Sequence, residues 1–270
     1  MIERVLAANS MIHRGISMLG HTIMGVIESV GETVLYIVHV LRLCFQRPFR
    51  RRLLLQQMQF LGYESTSIIL LCGFFIGAAV SLQVGTIFVI FGGQSMLGAV
   101  NAKALARELS PLMAGFLVAG RGGAAITAEI ATMKVNEQID AMEAMAVDPL
   151  SYLVVPRVMA CVLMLPLLVA LFNLTGQLAS LLIALNIFEI DQGIFFERMA
   201  RVVNWRDVWA GLEKALIFGG IIGLLACRYG LDASGGAKGV GKATTNSVVA
   251  MLLALLGVDF VITYLQIVWK

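Results

Sequence analysis

Apolar residues fill the chain in long runs separated by short polar islands, and the spacing inside those runs sets the expected elements. Over residues 8–43, Ile12, Ile16, Leu19, Ile23, Val26, Val30, Val34 and Ile37 recur in steps of three and four, which draws one stripe on a helix. His13, Glu28, Glu32 and His39 interrupt the stretch, so it reads as a helix lying in a membrane interface rather than crossing one. It ends at a basic cluster, Arg47, Arg50, Arg51 and Arg52, which favours anionic headgroups on the cytoplasmic face. Five runs long enough to span a bilayer follow, at about residues 65–91, 101–120, 156–187, 208–229 and 246–269. Two segments do not span. Residues 188–206 are a mixed amphipathic stretch. Residues 121–150, rich in Ala, Glu, Met and Gln, predict a helical loop closed by Asp148-Pro149.

Loop charge orients this pattern. With the N-terminus inside, Arg47, Arg50, Arg51, Arg52, Arg121, Lys134, Arg157, Arg228, Lys238 and Lys242 fall in the cytoplasm. Lys103, Arg198, Arg201, Arg206 and Lys270 fall outside, so the bias predicts an N-inside, C-outside chain. Residues 121–150 are then cytoplasmic and 188–206 external. Composition agrees with a membrane solvent: 59% of residues are hydrophobic and 14% charged, against about 25% charged in a soluble domain. The expected fold is an all-α integral membrane protein forming one polytopic domain over 1–270. Within it, 1–52 hold the interfacial helix and basic cluster, and 53–270 hold the transmembrane core.

Several function classes drop out. A net charge of +3 is too small to suggest nucleic acid. Cys44, Cys72, Cys161 and Cys227 stand singly, without the spacing of a zinc site or a disulfide framework. The polar interruptions of the first segment do not suit a cleavable signal peptide. Residues 236–242, GAKGVGK, match a phosphate-binding loop up to the lysine, but Ala243 stands where a hydroxyl would ligate magnesium, and no strand precedes the glycines. The segment reads as a flexible glycine-rich loop, with Thr244, Thr245, Asn246 and Ser247 capping the next helix. No cofactor is expected in this chain, and energy from ATP must come through a partner. An intramembrane enzyme finds little support: His13, His21 and His39 all lie in the first segment, away from any Ser or carboxylate cluster.

Residues 121–150 carry the strongest signal. Glu129, Glu137, Asp140 and Glu143 alternate with Ile130, Met133, Ile139, Met142 and Met145. The acids suit a solvated face, or less well metal ligands, since no His or Cys joins them. They also suit the rim of an amphipathic helix that docks in a partner's groove, with Met and Ile as anchors.

The run Ala119-Gly120-Arg121-Gly122-Gly123-Ala124-Ala125-Ile126-Thr127-Ala128-Glu129-Ile130, then Glu137-Gln138 and Met145-Ala146-Val147-Asp148-Pro149, resembles the signature of the MlaE/YrbE permeases. Leu105 to Pro111, LARELSP, is similar to their R-E-L-[GS]-P element, and Ala243-Thr244-Thr245 and Leu256 to Val261 also fit. The resemblance covers roughly residues 50–270. It implies an inner-membrane ABC permease that forms a homodimer on two ATP-binding subunits, which hold the ATP and magnesium. It also implies coupling to an MCE-domain lipid carrier and movement of phospholipid between inner and outer membranes. On that reading Arg121, Glu129, Met133, Glu137, Asp140, Met142 and Asp148 are the ATPase-coupling residues.

Polarity inside the spans adds a candidate path. Arg107 and Glu108 lie within the second span and Asp259 within the fifth. Asn173 and Gln177 share a face of the third. Charge at membrane depth faces a cavity or a partner, so these groups suit either structural ion pairs or the polar mouth of a lipid path walled by Leu82, Val89 and Leu112. Pro111 withholds the N–H that would bond the Arg107 carbonyl, which predicts a loosened backbone there. Gly73/Gly77 and Gly219/Gly223 have the spacing of close helix contacts. The rival class is an ion- or proton-coupled secondary transporter working through Asp259 and Glu108.

Overall fold

The computed structural model describes residues 31–44 and 50–268, and contacts divide the chain into two units, Met1–Arg47 and Pro48–Lys270. In the first unit residues 31–44 form a helix, α1. The rest of the expected interfacial helix, together with Arg47 and Lys270, lies outside the described residues.

The second unit is built from five helices long and apolar enough to cross a membrane: α2 (Arg51–Ile90), α3 (Gln94–Val135), α5 (Leu150–Asn186), α7 (Trp205–Leu231) and α8 (Gly236–Val268). Two short helices join them, α4 (Gln138–Ala144) between α3 and α5, and α6 (Gln192–Val202) between α5 and α7. The described residues contain no strand. Successive spans run in opposite directions, so α4 marks one end of the bundle and α6 the other. At about 1.5 Å per residue, the 40 residues of α2 reach about 60 Å, twice the hydrocarbon thickness, so its ends extend past the bilayer core.

Glycines decide where the helices meet. A Cβ at Gly73 would lie 3.0 Å from the Phe172 carbonyl oxygen, and one at Gly77 would overlap the Gly176 backbone; α2 therefore lies along α5 with the two backbones in contact. A Cβ at Gly219 would lie 2.5 Å from the Cys161 carbonyl oxygen, and one at Gly223 2.8 Å from Val158 Cα, which seats α7 against α5. Both pairs have the i,i+4 spacing that lets helices approach closely in lipid. At the opposite end, α6 is capped by the Asp191 carboxylate, which accepts from the Ile194 N–H at 3.1 Å. Its Phe195 is buried with Leu97, Ala184 and Ile190.

Four expectations need correction, three of them because glycine or proline does not break the chain where expected. The second span does not stop at 120. Gly122 and Gly123 stay inside α3 through a π-helical turn, Ala119–Gly123, and serve packing: Cβ atoms there would lie 2.6 Å from Leu61 and 2.7 Å from Met251. The expected helical segment 121–150 is therefore divided: 121–135 continue the α3 helix, and 136–149 join it to α5. Glu137, at φ 57°, turns the chain there, and Asp148 accepts from the Leu150 and Ser151 N–H groups to start α5. Pro156 does not open the third span, because α5 has already begun at Leu150 with another π-helical turn. The glycine-rich segment is not a flexible loop. Gly235 and Gly236, at φ +88° and +68°, make the turn, and from Gly236 onward the chain is helix, so Thr244 to Ser247 are interior rather than a cap. The first span likewise begins earlier, at Arg51, and Arg50 stacks over the Tyr152 ring at 4.4 Å.

Candidate functional site

A face of α7 builds the site. Asp207, Gly211 and Lys214 stand at steps of four and three, so they share one side of the helix. Gly211 has no side chain to hold α3 away. A Cβ there would overlap the Ala106 carbonyl oxygen. That close approach brings α7 against the π-helical turn Leu105–Leu109 of α3, just ahead of Pro111, where the backbone was expected to loosen. Arg107 and Glu108 leave this turn toward α7. Asp259 and Thr263, one turn apart on α8, complete the cluster.

The result is two adjacent groups of paired charges, meeting at the neighbouring residues Arg107 and Glu108. The Asp207 carboxylate accepts from the Asn204 N–H at 3.0 Å as part of the α7 capping box and pairs with Arg107 at 3.5 Å and Lys103 at 4.0 Å. Lys214 is 0% exposed. Its ammonium donates to Glu108, to Asp259 at 2.9 Å and to the Thr263 hydroxyl at 2.7 Å, and Thr263 in turn donates to Glu108 at 3.2 Å. An unpaired ion at this depth is expensive; here three cations meet three carboxylates and every donor of Lys214 is used. Glu108 keeps 38% of its side chain exposed. It borders a recess of about 370 Å³ that is lined also by Lys103, Arg107, Thr263 and the apolar Val100 and Ile267. The arrangement offers an anionic group two cations at the rim, and an apolar chain a wall beside them.

Sequence reasoning singled out Arg107, Glu108 and Asp259, and the structure brings all three into this cluster. It missed Lys214 and Asp207. A lysine two turns into an apolar span, seven residues after an aspartate and with a glycine between on the same face, was a readable signal. Leu82 and Val89 are exposed on α2, and Leu82 lines a different surface hollow with Gln83 and Thr86; neither lines the charged recess. Leu112 is half-buried on α3.

The expected coupling residues are spread over two settings. Arg121 donates to Glu64 and to Ser65 at 3.0 Å, tying α3 to α2. Glu129 pairs with the buried Arg157 at 2.8 Å, which clamps the start of α5 to α3 below the α4 hairpin. Ile130 and Ile139 are buried within the chain and are not free to anchor a partner. Met133 and Met142 are half-buried, and Asp140 pairs with Lys134 at 2.6 Å. Glu137, Glu143 and Met145 remain exposed on the hairpin. Beneath it the Thr127 hydroxyl lies 2.9 Å from Ser247 Oγ and 3.1 Å from the Ala226 carbonyl, joining α3, α8 and α7.

Residues 54–265 match the family described as Permease MlaE. The chain is 41% identical over 221 residues to a probable ABC transporter permease protein of Synechocystis sp., covering 82% of this chain and 84% of that one. It is 37% identical over 238 residues to a probable ABC transporter permease protein of Rickettsia typhi, covering 88% and 92%. It is 40% identical over 212 residues to the probable ABC transporter permease protein ycf63 of Pyropia yezoensis, covering 78% and 80%. With five apolar helices of spanning length and a family match across nearly all of them, the chain belongs to the MlaE permease family and is a permease subunit of the ABC transporter class.

Proposed function

We propose that this permease moves phospholipid between the inner and outer membranes of a bacterial envelope, as a homodimer driven by a separate ATP-binding subunit and handing lipid to or from an MCE-domain carrier. Its N-terminus would be cytoplasmic, so the α4 hairpin faces the ATP-binding subunit and α6 the carrier. The observation that carries the reading is the charged cluster set against an apolar recess at membrane depth. A phospholipid has a charged head and apolar tails, and the recess offers both surfaces together. The broad apolar faces of α2 and α8, with Phe75, Leu253 and Phe260 exposed, leave room for a second copy to close the path.

A photocrosslinker at Val100, beside Arg107, tests the path against one at Leu174, which is exposed on the outer face of α5. Labelled phospholipid is expected to crosslink more strongly at Val100, and the yield there should change with ATP turnover. Equal labelling that ignores ATP would mean bulk bilayer contact and would remove the recess from the path.

The docking of the ATP-binding subunit is tested on Glu137 and Glu143, hairpin groups that are exposed, whereas Asp140 holds the direct contact with Lys134. Glu137→Lys with Glu143→Lys should weaken co-purification of that subunit by on the order of tenfold, because like charge would stand where complementary charge is expected. The permease should still insert. Unchanged co-purification would place the contact elsewhere.

A further inference from the structure

The charges around the recess do not cancel in place. Asp207 stands as one carboxylate against two cations, Lys103 and Arg107, an excess of one positive charge. Lys214 stands as one cation against two carboxylates, Glu108 and Asp259, an excess of one negative charge. Arg107 and Glu108 are neighbours in α3, so the two excesses lie side by side. The recess reaches both of them: Lys103 and Arg107 line it, and so do Glu108 and Thr263, with Val100 and Ile267 as apolar wall. Unused hydrogen-bonding positions agree. The Oε2 atom of Glu108 accepts from both Lys214 and Thr263. Its Oε1 accepts from no group among the described residues and is not closed off from solvent. The Lys103 ammonium is 39% exposed and comes only within 4.0 Å of Asp207, which leaves donors open to the recess.

We propose that the recess selects a phospholipid whose zwitterionic head carries a primary ammonium, as phosphatidylethanolamine does. The inference rests on the phospholipid path proposed above and adds to it the class of head. The phosphate would lie against Lys103 and Arg107, and the ammonium would donate to Glu108 Oε1. One acyl chain would lie on Val100 and Ile267. Such a head brings one negative and one positive charge close together, the complement of the two excesses. An anionic head such as phosphatidylglycerol meets the cations but leaves the negative excess unmatched, at a depth where an unmatched charge is costly. Phosphatidylcholine carries both charges, but its quaternary nitrogen has no N–H to donate to Oε1.

The test uses the purified full chain in nanodiscs that hold equal parts of phosphatidylethanolamine, phosphatidylcholine and phosphatidylglycerol with the same acyl chains, one of the three labelled in turn. A photocrosslinker at Val100 reads the recess, and one at Leu174 supplies the bilayer reference. Relative to Leu174, phosphatidylethanolamine should label Val100 about tenfold more than either other lipid, the weight of one hydrogen bond to a charged group. Glu108→Gln keeps the side chain's size and removes the negative excess, so it should erase the preference for phosphatidylethanolamine over phosphatidylglycerol. An excess at Val100 that is the same for all three heads would leave the path standing and overturn the head recognition. Phosphatidylcholine labelling as strongly as phosphatidylethanolamine would overturn the hydrogen bond to Oε1, and a preference that survives Glu108→Gln would overturn the part given to Glu108. No excess at Val100 for any head would remove the path itself, and this inference with it. If Glu108→Gln fails to fold, the ranking of heads on the unaltered chain still decides.

Discussion

Lys214→Met is expected to abolish lipid transport and to destabilise the bundle by about 3 kcal/mol, the lower end of the cost of stripping one partner from a buried ion pair. The lower end applies because Glu108 keeps contact with solvent, whereas Asp259 is largely buried. In the variant, Glu108 and Asp259 face each other across an apolar gap without the ammonium that now bridges them. Unfolding in mild detergent should show the loss of stability, and a vesicle assay the loss of transport. Stability alone would not separate a structural role from a role in the path. The variant Lys214→Met/Glu108→Gln/Asp259→Asn does so, because it removes all three charges and leaves side chains of similar size. It should regain most of the lost stability, since neutral replacement of a complete buried network costs little. It should still fail to transport, because the recess has lost the carboxylate of Glu108, the one of the three charges that lines it beside Lys103 and Arg107. A triple variant that transports like the unaltered chain would reduce the cluster to a structural ion pair and defeat the path proposed above.

The parts of this fold that were legible in the sequence are those governed by a single local rule. Runs of apolar residues mark the five spans, because hydrocarbon admits only helices whose backbone is internally bonded. Gly73/Gly77 and Gly219/Gly223 announce close contacts, and α2, α5 and α7 meet there. The amphipathic stretch after the third span is α6. What was not legible depends on long-range packing. Gly122, Gly123 and Gly239 look like chain breaks when read alone, yet they are helical residues. Gly122 and Gly123 are small because Leu61 and Met251 occupy the space where a side chain would lie. Ile130 and Ile139 look like anchors for a partner, yet their own bundle covers them. The pairing of Lys214 with Glu108 and Asp259 joins residues 106 and 45 positions apart, and only the approach of α7 to α3 at Gly211 brings them together. Facing is the other blind spot. Chemistry alone groups Leu82 and Arg107 on one path, and the helix rotations place them at different surface hollows.

Gly77→Val is expected to disrupt the α2–α5 contact and with it the folded bundle, with a loss above the roughly 1–3 kcal/mol usual for overpacking. The reason is what the new side chain would strike. Most tight spots are relieved when a flexible neighbour swings aside, as the Met164 side chain could near Gly62. At Gly77 the obstacle is the backbone of Gly176, which is held in the hydrogen-bonded interior of α5 and cannot swing. The two helices would have to separate along their length, and without a hydrophobic force between them in lipid, that contact surface is much of what holds them together. Gly241→Ala is the control. It replaces a helical glycine with nothing within 4 Å of the new Cβ, so it should be neutral or stabilising by up to about 0.8–1.0 kcal/mol from helix propensity. The pair also tests the reading of the glycine-rich segment. A phosphate-binding loop would lose its function on Gly241→Ala, whereas an open position on a helix would not. Monodisperse, heat-stable Gly241→Ala beside aggregated Gly77→Val is the expected result on size-exclusion chromatography. A Gly77→Val chain as stable as the original would mean that α2 and α5 are not held in backbone contact.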